Sequence, residues 1–184
     1  MKRILPFFLL LLIVLNGCNA IGTAAPDVSS PVPVATLVPL GTPAAKYGVE
    51  VARPLIRDFT NIGQRVAGSE RESQAAQYVF DVFQAIGYSP EIQPFTEIVG
   101  DTPISSSNVV AIKKGFSSQE IIVGAHYDSA AGALGADDNA SGVAVMLEVA
   151  KLVQSASTLY TIRFIAFGAG ENDLMGSYAY LNQM

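Results

Sequence analysis

The stretch "QEIIVGAHYDSAAGALGADDNASGVAVMLEVAKLVQ", residues 119–154, runs from an apolar strand through a small-residue loop into an apolar helix. Its opening, "QEIIVGAH" (119–126), is apolar on nearly every position, the pattern of a central strand in a sheet covered on both faces. Its close, "SGVAVMLEVAKLVQ" (141–154), predicts a mostly buried helix, with Ser141 placed to cap it. A second apolar strand follows at "YTIRFIAFGA" (160–169). Strand, helix and strand in that order place the chain in the α/β class, with helices on both sides of the sheet.

Upstream, "KYGVEVARPLIRDFTNIG" (46–63) has apolar residues at helical spacing. "SERESQAAQYVFDVFQAIG" (69–87) predicts the clearest helix in the chain. Ser69 and Glu72 have capping-box spacing, Val79, Phe80, Phe83 and Ile86 make an apolar face, and Gly87 stops it. "SPEIQPFTEIV" (89–99) predicts a strand broken at Pro94, and "SNVVAIKKG" (107–115) another strand.

The N-terminus differs in kind. "MKRILPFFLLLLIVLNGC" (1–18) places Lys2 and Arg3 before an apolar run that ends at Leu15. That run is short of the roughly 20 residues a spanning helix needs, and it suits a signal-peptide core. "LNGC" resembles a bacterial lipobox, which implies lipidation at Cys18 and an exported protein on the outer side of the cytoplasmic membrane. Cleavage after Ala20, giving a secreted chain, and a retained anchor helix are the alternatives. Residues 19–45 are rich in Pro, Ala, Ser and Thr without helical or alternating period, so they read as a tether to a domain at 46–184.

Composition narrows the partners. The formal charge of −5 and scattered Lys and Arg exclude a nucleic-acid surface. A single cysteine excludes an internal disulfide and a Cys-rich zinc knuckle.

In α/β sheets, ligands gather beyond the carboxyl ends of strands. His126, the only histidine, closes one strand, and Glu171 lies just past the end of another. Asp137 sits in the loop between the first strand and its helix. Imidazole and carboxylates are zinc ligands, and Asp128 stands where it could accept the second ring N–H of His126. The adjacent Asp137 and Asp138 repel one another unless a cation or donors compensate. The same residues also suit a structural histidine and ordinary turns and caps.

Taken together, "RVAGS" (65–69), "GAHYDS" (124–129), "GADDNASG" (135–142) and "FGAGENDLMGS" (167–177) resemble the co-catalytic di-zinc aminopeptidases of metallopeptidase family twenty-eight, from about residue 46 to the end. The resemblance implies a three-layer α/β/α exopeptidase with a mixed, mostly parallel sheet, which hydrolyses N-terminal peptide bonds of a peptide substrate with a di-zinc-activated water. It implies that His126 binds one zinc, that Asp128 orients it, that Asp137 bridges two zincs, and that Glu171 binds the other. Where the family has its general-base glutamate, this chain has Gly170, and where it has glycine, Asp173. The family's remaining aspartate and histidine ligands come from beyond this motif, so the expectation is a C-terminally incomplete domain. The alternative is a non-catalytic surface lipoprotein that retains the fold.

Overall fold

The computed structural model describes residues 49–183. The expected signal peptide (1–18), its Cys18 and the whole of the tether (19–45) lie outside the described residues. No described helix is long and apolar enough to cross a membrane.

Helices α1 (Val49–Asn61) and α2 (Glu70–Ile86) come first. α2 begins at Ser69, whose extended backbone (φ −86°, ψ 160°) lets its hydroxyl accept from the Glu72 amide at 3.2 Å. It ends at Gly87, whose φ of 104° turns the chain out of the helix. The other half of the expected capping box is not made. The Glu72 carboxylate turns inward to accept from the Gly68 amide at 2.6 Å, because deeper donors compete for it.

Strands β1 (Glu91–Val99) and β2 (Thr102–Lys113) form an antiparallel hairpin, with Gly100 at φ 62° in the turn. The break expected at Pro94 is absent: β1 runs through it, paired opposite Ser107. Among the described residues β1 pairs only with β2, so the missing N–H of Pro94 costs no second ladder there. β3 (Ser117–His126), α3 (Ser141–Val153) and β4 (Tyr160–Phe167) form the βαβ unit, and α4 (Met175–Asn182) follows.

The sheet order is β1-β2-β4-β3, with β3 parallel to β4 and β2 antiparallel to both of its neighbours. The sheet is therefore mixed, with β1, β3 and β4 pointing one way and β2 the other. β3, expected at the centre, is the edge of the described sheet, with Ile121 46% and Ile122 49% exposed. Apolarity on both faces tells that a strand can be buried, not how many neighbours it has.

One face carries the main core. Phe59 of α1, Val79 and Phe83 of α2, and Val143, Met146 and Leu147 of α3 pack on Val109, Ala111, Phe164 and Ala166 of the sheet. Phe83, Tyr88 and Phe164 meet at centroid distances of 5.8–6.1 Å. Burial without a charged partner pushes the Tyr88 phenol up to about 12, and its hydroxyl donates to the Ala150 carbonyl. On the opposite face, Tyr180 of α4 packs on Val110 and Ile165. Helices on both faces give the three-layer α/β arrangement.

Candidate metal centre

The parallel pairing of β3 and β4 sets His126 opposite Phe167, so both strands end on one edge. Beyond that edge, His126, Asp138 and Glu171 each offer a ligand atom, all within 4.8 Å of one another. His126 Nε2 lies 3.0 Å from Asp138 Oδ1, and His126 Nδ1 lies 3.2 Å from Asp128 Oδ1. The His126 ring is mostly covered (21% exposed), whereas the Asp138 side chain is 75% exposed, so the group opens to solvent. The hydrogen bond to Asp128, partly offset by burial, raises the His126 pKa.

Of the candidates from sequence, His126, Asp128 and Glu171 come together here. Asp137 is not a member of the ligand group; the place beside His126 Nε2 belongs to Asp138. The loop 136–140 explains the choice. Asp138 (φ −117°, ψ 94°) and Asn139 (φ −136°, ψ 38°) leave helical geometry, so consecutive side chains diverge. Asp137 instead offers its carbonyl to the Ser141 hydroxyl at 2.6 Å. Ser141 is therefore the first residue of α3 and not its cap; the cap position is Ala140, which has no side-chain cap bond, and Asn139 Oδ1 accepts from the Gly142 amide at 3.1 Å.

Two residues outside the ligand group build the scaffold. Arg65, fully buried, donates to the carbonyls of Tyr127 (2.7 Å), Leu134 (2.7 Å), Gly135 (3.0 Å) and Gly63 (3.2 Å). Its guanidinium also stacks 4.6 Å from the Phe59 ring centroid. Burial lowers the Arg65 pKa and the Asp128 charge pulls it back up, and the group stays a cation. It staples the turn at 63–65 to the loop that leads to Asp138. Asn108, buried on β2, donates to the Gly176 carbonyl at 2.8 Å and holds the other end of the Glu171 loop. Neither role was visible in the sequence beyond the weak "RVAGS" match, because both act through backbone groups.

Gly170 sits against the histidine. A Cβ there would overlap the His126 Cβ and come 2.6 Å from its Cγ, so this backbone has no room for a side chain at 170.

The donor set fits zinc. Imidazole nitrogen and carboxylate oxygen are both zinc donors, and donors at about 2.0–2.2 Å in a tetrahedron lie about 3.3 Å apart. The 3.0 Å between His126 Nε2 and Asp138 Oδ1 is close to that edge.

Residues 108–184 match the model of peptidase family M28. Aminopeptidase YwaD of Bacillus subtilis is 43% identical over 83 residues, which cover 44% of this chain and 18% of that protein. Among solved structures, an aminopeptidase from Aneurinibacillus sp. strain AM-1 superposes with a TM-score of 0.68 at 20% identity, covering 73% of this chain and 66% of that one. A Porphyromonas gingivalis glutaminyl cyclase superposes with a TM-score of 0.65 at 21% identity, covering 73% and 52%. The chain spans less than half the length of the first curated relatives it matches.

Proposed function

The chain belongs to peptidase family M28 through residues 108–184, and on that premise we propose that it is a zinc-dependent exopeptidase acting on the N-terminal bonds of peptides. The observation that carries this reading is the meeting of His126, Asp138 and Glu171 at the carboxyl ends of β3 and β4. His126 Nε2, Asp138 and Glu171 would hold the ion, and Asp128 fixes the imidazole so that Nε2 faces it. Zinc in that place supplies a Lewis acid and lowers the pKa of water towards about 7. The exposed carboxylates leave the site open to a substrate from solvent. A second ion beside the first would extend the same reading.

Gly170 favours a second reading, that of an exported binding module which keeps the metal and not the turnover. The position where the family carries its base has no side chain, and the His126 ring fills the space one would occupy. Losing a general base costs typically 10²–10⁴ in rate. We also propose export, with lipidation at Cys18 and the domain held off a membrane by residues 19–45.

The deciding experiment loads the purified chain with zinc, quantifies the bound metal, and assays aminoacyl reporters and N-terminal glutaminyl peptides. Stoichiometric zinc with release of the N-terminal residue supports the peptidase. Zinc without turnover supports the second reading, and cyclisation of the glutaminyl peptide would place the chain with the cyclases that share its fold. A chain that binds no zinc is neither.

A further inference from the structure

Four consecutive amides in the loop that carries Glu171 each donate to a side chain from elsewhere in the sequence. Gly168 donates to Asn108 Oδ1 at 3.3 Å and Ala169 to Glu72 Oε1 at 2.9 Å. Gly170 donates to Asp128 Oδ1 at 2.7 Å and Glu171 to Asp128 Oδ2 at 2.9 Å. A run of amides that all face inward makes an anion-binding concavity, and here the chain fills it with its own carboxylates.

Asp128 has an evident task beside His126. Glu72 has none of that kind, yet the residue is only 2% exposed and a carboxylate there is costly unless donors compensate. Three do: the Gly68 amide at 2.6 Å, the Ser106 hydroxyl at 2.6 Å and the Ala169 amide. The first alone would serve the start of α2. The other two reach across to β2 and to the loop after β4.

Ala169 is where that reach matters. It is fully buried and has φ 50°, a left-handed conformation that a residue with a Cβ rarely adopts unaided. An acceptor on its amide opposes relaxation to negative φ, which would swing the chain two residues before Glu171.

We propose that Glu72 is a positioning residue of the metal centre: by accepting the Ala169 amide, it holds the 168–171 loop so that the Glu171 carboxylate points at His126 and Asp138. The inference rests on the zinc reading of that site. It assigns Glu72 a role in metal affinity that a helix cap does not have. Ser106 shares the role by fixing the orientation of the Glu72 carboxylate.

The test measures Zn²⁺ binding by the whole chain in competition with a chromophoric chelator, and the d–d spectrum after Co²⁺ loading. Glu72→Ala, folded by circular dichroism, is expected to bind zinc about 10–100-fold more weakly, as losses of outer hydrogen-bond partners do. Its cobalt bands shift because Glu171 no longer reaches the ion. Glu72→Gln keeps an oxygen for Ala169 and is expected to recover most of the affinity. Glu70→Ala, which removes an exposed carboxylate from the same helical turn, leaves it unchanged. A folded Glu72→Ala chain with wild-type affinity and spectrum overturns the proposal. If that variant does not fold, Ser106→Ala decides: weaker zinc binding supports the positioning role, and wild-type binding overturns it. A wild-type chain that takes no zinc overturns both this inference and the metal reading, whereas zinc bound equally by all variants overturns this inference alone.

Discussion

Asp138 is three-quarters exposed and hydrogen-bonded at 3.0 Å to the only histidine, so its carboxylate has little to do for stability and much to do for a cation. Asp138→Ala is expected to weaken zinc binding by about tenfold or more, with the thermal midpoint of the metal-free chain little changed. Asp137→Ala is expected to change zinc affinity far less, and the two titrations side by side check the assignment. Glu72 gives a second prediction at this scale. Burial, opposed by its hydrogen bonds, raises its pKa. A carboxyl whose folded pKa is raised takes its proton in the fold first. Its contribution to stability is therefore full below the unfolded value of about 4.3 and is lost as pH rises through the folded value. Urea midpoints of wild type and Glu72→Gln across pH 4–7 should show wild type gaining on the variant as pH falls. A constant difference would contradict the sign.

Among the elements, α2 has the most to lose. Phe83 is fully buried against Tyr88 and Phe164, and Phe83→Ala should cost about 3–5 kcal/mol of unfolding free energy. Ser69→Ala removes one cap bond and should cost about 1 kcal/mol; denaturant titration separates the two. The same elements show what a sequence can carry. Helical period, a cap serine and a stop glycine located α2, and apolar runs located β3, α3 and β4, since each signal is local. Pro94 misled because its cost depends on which side of the strand has a partner, and that is decided by sheet order. At the site, strand ends placed His126 and Glu171, but the choice between Asp137 and Asp138 lay in backbone angles of a five-residue loop. Arg65, Asn108 and Glu72 bond to main-chain groups far along the chain, a relation with no spacing to read.

For the whole molecule, a ligand that binds only the folded state stabilises it by mass action. Free zinc at 100 times its dissociation constant should add about 2.7 kcal/mol to unfolding stability, and Asp138→Ala should cut the gain to about 1.4 kcal/mol or less at the same zinc concentration. Calorimetry with and without chelator measures it. Export makes a separate prediction: Cys18→Ser should move the protein from the membrane fraction to the soluble exported fraction, and an unchanged distribution would remove the lipid anchor from the proposal. The amide of Ala169 and the carboxylate of Glu72 are 97 residues apart in the chain, and the Arg65 guanidinium reaches Gly135 across 70. A site tied by such distant partners has a birth order. No portion of the chain that stops short of the loop after β4 holds it, so a ribosome must pass that loop before any ion can be kept. If the chain crosses a membrane unfolded, it crosses without its metal, and the ion it acquires is drawn from the far side.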